Sequence, residues 1–309
     1  MKQFFSEYGG VTIIVIVIAV LLLLVGSVKS LDEATGKVNG SGVASMVGNK
    51  LSGSIDKFKT SFNNILSGGP GSSDSPAGPV VSKTDSQVGK YADVDGDGTV
   101  DGIIFADLMV GGSGQWVDGD GEYTIPTISS CKNYYVSQES YTNTLGETAE
   151  VLSPTGSGNV RFYIMALSDI DSNSHDWYNA AYSKGMNDYA TATSENFGKG
   201  KNNTATMISK WETKSYGEQN TCADHKDIWG QIKSQANNGW FVPSRQELAA
   251  FAGQLGITES NYESKGLSGW YWSSSQSTAN WAYIMSLTTG CVSSSYVNYD
   301  YSVRLAATF

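Results

Sequence analysis

The stretch PSRQELAAFAGQLG, from Pro243 to Gly256, is the clearest signal of local structure in the chain. Ser244 is followed three residues later by Glu247, which fits a capping box, where each side chain bonds a backbone N–H that a helix start leaves unpaired. Apolar residues then recur at the spacing of one helix face, at Leu248, Phe251 and Leu255. The closing glycine is typical of a helix end. The stretch therefore predicts an amphipathic helix that starts after Ser244 and packs against a core.

Segments on both sides of this helix predict a mixture of strands and helices. Apolar runs predict three strands, over 102–109, 160–167 and 303–309. Two further helices are expected, over 176–188 and 224–237. Short strands with two or more helices indicate an α+β fold with mainly antiparallel strands.

The composition excludes some classes of protein. A net charge of -10 and a pI near 4.7 argue against a nucleic-acid partner, because phosphate binding needs clustered Lys and Arg. The chain has 35 glycines and only 6 prolines, which favours loop-rich structure over long helices. Its three cysteines are widely spaced and odd in number, so we expect neither a disulfide framework nor a CxxC metal site.

The N-terminus is typical of a membrane segment. Residues 11–28 are uncharged and rich in Ile, Val and Leu, and this length is just sufficient to cross a bilayer. We therefore expect a transmembrane anchor over residues 1–30, in a single-pass protein of the cell membrane whose C-terminal domain is extracellular. A cleaved signal peptide is the alternative, since small residues follow the apolar run.

The anchor is followed by a predicted stalk and linker. Residues 31–66 are expected to form a helical stalk, because apolar residues recur at steps of three and four at Val43, Val47, Leu51, Ile55, Phe58, Phe62 and Ile65. Such a stripe allows homo-oligomers to form through the stalk. Residues 67–89 are rich in Gly, Ser and Pro and predict a flexible linker. The globular domain is therefore expected over 90–309.

The end of the chain has the composition of a binding surface. Between Gly266 and Val303 the single charged residue is Asp300. Eight aromatic residues lie in the same stretch among Ser, Thr, Asn and Gly: Trp270, Tyr271, Trp272, Trp281, Tyr283, Tyr296, Tyr299 and Tyr301. Rigid aromatic side chains with small polar neighbours are typical of antibody paratopes. We therefore expect a ligand-binding surface in this region.

Several motifs of the domain resemble a known family. They are GWFVPSRQEL from Gly239, YWSSSQ from Tyr271, Gly290, and VRLA from Val303. Together they resemble the C-type-lectin-like domain of variable proteins that retroelements diversify, among them phage tropism determinants. Formylglycine-generating enzymes share this fold. The resemblance covers residues 90–309 and is most specific in the last seventy. It implies a C-type-lectin-like fold whose variable region spans about 270–303.

The resemblance also implies which residues vary. Such retroelements mutate template adenines, mostly at AAY codons, so a mutated codon keeps its final pyrimidine and cannot encode Lys, Glu, Gln, Met or Trp. Between Ser277 and Tyr301 only Trp281 and Met285 violate this rule, and we assign both to a fixed scaffold. Trp272 and Trp281 are expected to pack beneath the surface. The candidate ligand-binding residues are Ser277, Thr278, Asn280, Tyr283, Thr288, Cys291, Ser293, Ser294, Ser295, Tyr296, Asn298, Tyr299 and Tyr301.

An acidic loop is a candidate calcium site, although no cofactor is required for binding. Asp93, Asp95, Asp97 and Asp101 stand at positions 1, 3, 5 and 9 of a loop with glycine at position 6, and carboxylate oxygens suit this hard cation. Position 12 is Ile104, which excludes a true EF-hand; Asp107, outside the loop, is a candidate replacement ligand. The alternative is an acidic turn between strands.

We expect no enzyme activity. The two histidines, His175 and His225, form no HExxH or Ser/His/Asp arrangement, and both are expected at the surface or at helix caps. A formylglycine-generating enzyme uses a pair of late cysteines, whereas Cys291 stands alone here.

Two functions of different class therefore remain. The first is a membrane-anchored receptor or adhesin, displayed at the surface, that binds a protein or glycan on another cell, a phage or a host surface. The alternative is a structural surface subunit, similar to a minor pilin, with a static lectin-like head. The first hypothesis places Tyr296, Tyr299 and Tyr301 in the binding surface, so their replacement by alanine should leave folding intact and abolish binding.

Overall fold

The computed structural model describes residues 30–31, 38–39, 78–179, 184–222 and 226–309. The chain divides into two compact units, Met1–Ser75 and Pro76–Phe309. In the first unit, β1 (Ser30–Leu31) pairs with β2 (Val38–Asn39) in antiparallel register. These residues are strands where a stalk helix was expected from residue 31.

The remainder of the predicted anchor and stalk, and residues 67–77 of the predicted linker, lie outside the described residues. Within the part of the chain that the structure describes, no helix combines the length and hydrophobicity needed to cross a bilayer.

The second unit contains fourteen short strands and five helices among its described residues. The strands are β3 (Tyr91–Ala92), β4 (Gly102–Asp107), β5 (Gly112–Gln115), β6 (Asp118–Gly119), β7 (Glu122–Ile125), β8 (Asn133–Tyr141), β9 (Ala149–Thr155), β10 (Phe162–Ala166), β11 (His175–Asp176), β12 (Trp270–Thr278), β13 (Trp281–Ser286), β14 (Cys291–Tyr296), β15 (Asp300–Tyr301) and β16 (Ala306–Thr308). The helices are α1 (Tyr189–Ala192), α2 (Gly200–Glu212), α3 (Ile228–Gln231), α4 (Lys233–Asn237) and α5 (Arg245–Gln254). The predicted α+β class, with mainly antiparallel short strands, is confirmed.

Two sheets organise this unit. A six-stranded sheet has the order β16-β10-β4-β3-β9-β8, and every residue of its strand β4 is buried. A four-stranded sheet has the order β12-β13-β14-β6, in which β14 and β6 are parallel and the other neighbours antiparallel. The three strands predicted from apolar runs are confirmed as β4, β10 and β16. The terminal strand β16 lies beside β10, which places the chain end inside the core of the first sheet.

The predicted capping box is present at the start of α5. The Ser244 side chain accepts a hydrogen bond from the Glu247 backbone N–H, and the Glu247 carboxylate accepts one from the Ser244 backbone N–H. Leu248 and Phe251 are buried in the same core cluster as Phe105 of β4. The helix therefore packs against the six-stranded sheet through the face that its spacing predicted.

The other two predicted helices are partly wrong. Asp176 belongs to β11 and pairs with β15, and residues 177–179 and 185–188 are irregular, so a helix over 176–188 is wrong for these residues. Lys184 is helical, and 180–183 lie outside the description. The helix expected over 224–237 begins only at Ile228 and breaks at Ile232 into α3 and α4. Ile228 and Ile232 are both fully buried.

The predicted domain boundary at Lys90 is too late. The compact unit begins at Pro76, and Val81 is buried. Arg161 holds this entry segment: its guanidinium donates to the backbone carbonyls of Ser82 and Asp85 and to both carboxylate oxygens of Asp107, at 2.8 and 2.7 Å. Residues 78–89, predicted to be linker, are therefore part of the folded unit.

Both faces of the four-stranded sheet are covered over most of its length. Tyr271 and Met285 lie in the core cluster that also contains α5. Trp272 and Ile284 lie on the opposite face, in a second cluster with Trp177. The sheet is thus fixed from both sides, which positions its exposed end.

Candidate functional site

Most candidate ligand-binding residues reach solvent, and buried residues alternate with them. Every one of the thirteen is at least partly exposed except Ser295, which is 5% exposed. Between them lie the buried residues Ala282, Ile284, Val292 and Val297. This alternation follows from strand geometry, since successive side chains point to opposite faces.

The candidates do not share one face of the sheet. Residues directly opposite each other in an antiparallel pair lie on the same face. Tyr283 is opposite Ser294, whereas Ser293 is opposite Ile284 on the other face. Ser295 lies opposite Ala282 and is buried with it. Candidate residues on both faces cannot form a single flat site.

The candidates are also divided along the sheet. Thr288 and Cys291 lie at the turn between β13 and β14, where Ser286 pairs with Cys291. The opposite end of this hairpin is the pair Trp281 and Tyr296. Five candidates lie at or near that second end, in the segments that lead into and out of the hairpin: Ser277, Thr278, Asn280, Asn298 and Tyr299.

Three aromatic side chains at this end form a cluster that we call the aromatic patch: Trp281, Tyr296 and Tyr299. The ring centroids of Trp281 and Tyr296 are 4.1 Å apart, and those of Tyr296 and Tyr299 are 5.9 Å apart. Tyr296 is 37% exposed and Tyr299 52% exposed. Trp281 is only partly buried, so its predicted place in the core is wrong. It faces outward because its cross-strand partner is exposed Tyr296.

The backbone beneath the aromatic patch is fixed by hydrogen bonds. The Val297 N–H donates to the Asn280 carbonyl at 3.1 Å, and the Tyr299 N–H donates to the Tyr296 carbonyl at 3.0 Å. The Tyr178 N–H donates to the Val297 carbonyl at 2.9 Å. These contacts hold the 297–299 turn, so the exposed tyrosines project from an ordered backbone.

Tyr283 belongs to a separate polar network. Its ring centroid lies 5.5 Å from the Arg245 guanidinium carbon. Arg245 is 4% exposed and forms ion pairs with Glu195 at 2.8 Å and Glu122 at 2.7 Å. Burial first, and then the Glu195 carboxylate, raise the pKa of Tyr283 to about 12, so its hydroxyl stays protonated and bonds to Glu195. The sequence did not reveal this network, because its members come from segments far apart in the chain.

Tyr301 is a packing residue as much as a surface residue. Its ring stacks on Trp270 with centroids 5.6 Å apart and meets the edge of Trp272 at 4.8 Å. Its hydroxyl lies 3.0 Å from the Ser295 hydroxyl. Trp272 itself is fully buried, as predicted, and its indole N–H donates to the His175 carbonyl. We therefore exclude Tyr301 from the aromatic patch.

The predicted calcium loop brings three carboxylates together. Oxygens of Asp93, Asp95 and Asp101 lie within 4.8 Å of one another. Burial raises the pKa of Asp101, with smaller contributions from the neighbouring aspartates, including Asp97. Asp97 lies outside the three-residue group, and its carboxylate accepts the Thr99 N–H at 2.7 Å.

Other contacts in this loop argue for a stable turn. Asp93 accepts backbone N–H bonds from Gly96 at 2.9 Å and Gly98 at 3.1 Å, while Asp101 accepts one from Val94 at 2.7 Å. Asp107 is paired with Arg161, which corrects the expectation that it completes the site. The donor set suits calcium chemically, but the same carboxylates also satisfy the loop backbone.

His175 is buried, although it was expected at the surface or at a helix cap. It is 3% exposed rather than superficial, and its Nε2 lies 3.0 Å from an Asp171 carboxylate oxygen. His225 lies outside the described residues. All three cysteines are free thiols; Cys222 is exposed, and Cys131 and Cys291 are partly buried.

Comparison with known proteins gives little guidance. No protein-family model and no curated protein matches the chain. A fimbrial protein from Bacteroides ovatus ATCC 8483 is similar in structure at a TM-score of 0.33, with 18% sequence identity. The match covers 48% of this chain and 36% of that chain, so it spans about a third of the fimbrial protein.

Proposed function

We propose that this protein is a surface-displayed receptor or adhesin that binds a protein or glycan ligand through the aromatic patch of Trp281, Tyr296 and Tyr299. In this proposal the head has a C-type-lectin-like fold, and a retroelement diversifies its C-terminal region by adenine mutagenesis. The N-terminal segment anchors the protein in the cell membrane, with the head outside. Binding needs no cofactor, and calcium in the aspartate loop has at most a structural role.

The aromatic patch is the observation that carries the proposal. Two tyrosines and a tryptophan contact one another while remaining open to solvent, although a folded protein normally buries such large rings. Aromatic residues are enriched at binding hot spots, because they offer a large contact area and lose little conformational entropy. No charged side chain lies in β13 or β14. The patch therefore suits a ligand that stacks on rings and forms neutral hydrogen bonds.

The rigid support beneath the patch is consistent with a site whose specificity changes between variants. Trp272 and Ile284 hold the sheet from one side, and Tyr271 and Met285 from the other. Exposed side chains can then change without loss of the fold, because the buried residues between them stay constant. A preorganised surface also loses less entropy on binding than a mobile loop does. Diversification on such a scaffold changes affinity while preserving folding.

We propose membrane display because residues 11–28 form an uncharged, apolar segment. The acidic composition of the chain favours ligands other than nucleic acids. Self-association through residues 31–66 would present several heads together and increase avidity for a repetitive surface.

The test is binding by a double variant, Tyr296→Ser with Tyr299→Ser. Serine is itself compatible with a mutated AAY codon, so the change mimics natural diversification. The probes are a glycan microarray and a panel of intact bacterial cells, and Tyr135→Ser on β8, away from the patch, is the matched control. We expect the double variant to keep the wild-type melting temperature within a few degrees and to lose whatever signal the wild type gives. Equal binding by the double variant and the wild type would contradict the proposed site.

A further inference from the structure

A cleft in the second unit lies beside the end of α5 and shares no residue with the aromatic patch. Its volume is about 350 Å³, within the range of about 300–1,000 Å³ that is typical of small-molecule sites. Its walls come from residues 88–90 before β3, residues 145–149 at the start of β9, and residues 254–255 at the end of α5. Ile103 and Lys265 complete the lining. The cleft is thus large enough for one small molecule.

The wall formed by residues 145–149 is anchored to the core. The Tyr91 hydroxyl donates to the Glu147 carbonyl at 3.1 Å and accepts the Asn143 backbone N–H at 3.2 Å. Gly146 approaches β4 so closely that an added Cβ would lie 2.6 Å from Ile103 Cδ1. Tyr91 and Ile103 are both fully buried, so these contacts tie the wall to rigid strands. A ligand therefore loses little free energy in ordering the cleft.

Apolar side chains form the base of the cleft. Val88, Ala149 and Leu255 are half-buried and line it. The fully buried Ile103 and Leu145 lie beneath them. A short hydrocarbon chain in this position would leave water, which favours binding in proportion to the apolar area that is buried.

Lys265 places a positive charge beside this apolar base. The side chain is half-buried, and its Nζ donates to the Leu145 carbonyl at 3.2 Å. An ammonium group has three protons to donate, so two remain for another acceptor. Among the described residues, the ion pairs that lysines form do not include Lys265. Its ammonium is therefore available to an anionic group in the cleft.

The other charged groups of the cleft are either neutralised or open to water. Lys90 Nζ lies 2.5 Å from a Glu150 carboxylate oxygen, so these two charges offset each other. Glu147 lines the cleft and is exposed, so water and salt screen its charge. An anion beside Lys265 would thus meet one ammonium at short range and one screened carboxylate.

We propose that this cleft binds a small monocarboxylate with a short apolar chain. The carboxylate accepts hydrogen bonds from the Lys265 ammonium, and the chain packs on Val88, Ala149 and Leu255. Charge-assisted bonds of this kind are stronger than bonds between neutral groups, so the carboxylate contributes to selectivity as well as to affinity. The site goes beyond the proposed function, because it is separate from the aromatic patch.

The test uses the full chain, with hexanoate as the probe. The lysines are acetylated slowly with N-hydroxysulfosuccinimidyl acetate, and mass spectrometry of peptides gives the rate at each lysine. A dissociation constant of about 1 mM is expected for a ligand of this size. At about 10 mM hexanoate, acetylation of Lys265 should therefore slow roughly tenfold. Lys83 is exposed and lies outside the cleft, so its rate should stay constant as an internal control.

Two further arms test the role of charge. Hexanamide has the same chain without the negative charge and should protect Lys265 less than hexanoate does. Glu147→Gln removes the screened carboxylate, so half-protection of Lys265 should need about twofold less hexanoate.

Four results would each overturn the proposal. They are an unchanged Lys265 rate in hexanoate, equal slowing of Lys83, equal protection by hexanamide, and weaker protection in Glu147→Gln. Protection of Lys265 by hexanoate alone, strengthened in the variant, is the result we expect.

Discussion

Glu247 provides the most quantitative prediction, because a single buried carboxyl joins the starts of two helices. It is fully buried and accepts the Ser244 N–H of α5 at 2.6 Å and the Gly198 N–H, just before α2, at 2.9 Å. The Gly200 N–H bonds to it as well. A Cβ at Gly200 would lie only 2.2 Å from the carboxylate, which is why glycine is needed there.

Burial outweighs these hydrogen bonds and raises the pKa of Glu247 from 4.5 to about 7. A raised pKa means that the folded state binds the proton more tightly, so its stabilising effect is complete below about pH 4.5 and is lost as the pH approaches 7. The difference between the two pKa values corresponds to about 3 kcal/mol. Because other groups also titrate, the wild type alone cannot isolate this contribution.

Glu247→Gln isolates the contribution of Glu247 ionisation to stability, since glutamine resembles the neutral acid in shape and never ionises. The assay is urea unfolding of the wild type and the variant at pH 4.5 and pH 7.5. Because the glutamine NH2 group cannot accept one of the backbone N–H bonds, we expect the variant to be less stable by roughly 1–3 kcal/mol at pH 4.5. The variant should then gain about 3 kcal/mol relative to the wild type at pH 7.5. A stability difference that stays the same at both pH values would refute the reasoning.

Three further predictions concern the C-terminal sheet and the acidic loop. Trp272→Ala removes a fully buried ring and its bond to the His175 carbonyl, and should lower the free energy of unfolding by roughly 3–5 kcal/mol in chemical denaturation. Tyr301→Ala should also destabilise, by about 1–3 kcal/mol, because two tryptophans lose a packing partner; unchanged stability would return Tyr301 to the surface site. Weak calcium sites of extracellular modules have dissociation constants from ~0.1 mM upward, so calcium at about 1 mM should occupy the loop and raise the melting temperature. Asp101→Asn should remove that rise.

Local sequence signals predicted local structure well. The capping box of Ser244 and Glu247 depends on residues three apart, so it could be read directly and is present in the structure. The buried strands β4 and β10 were equally accessible, because a continuous apolar run needs no knowledge of its neighbours. Trp272 was also assigned correctly to the core.

Features that depend on distant contacts could not be predicted. Residues 78–89 have the composition of a linker, but the Arg161 side chain, far along the chain, binds their carbonyls. Trp281 looked like a core residue by its size, yet its cross-strand partner is exposed. Tyr301 looked like a surface residue by its polarity, yet two tryptophans enclose it. In each case the deciding neighbour comes from another part of the chain.

The most direct test of the central claim is the DNA sequence around the gene. A retroelement-diversified receptor requires a nearby near-copy of the codons for residues 270–309, next to a reverse transcriptase. We expect mismatches only at template adenines, in codons for exposed residues such as Tyr296 and Tyr299. The codons for buried Trp272 and Met285 should be identical in both copies. Absence of the copy, or mismatches concentrated in those buried codons, would contradict diversification of the aromatic patch.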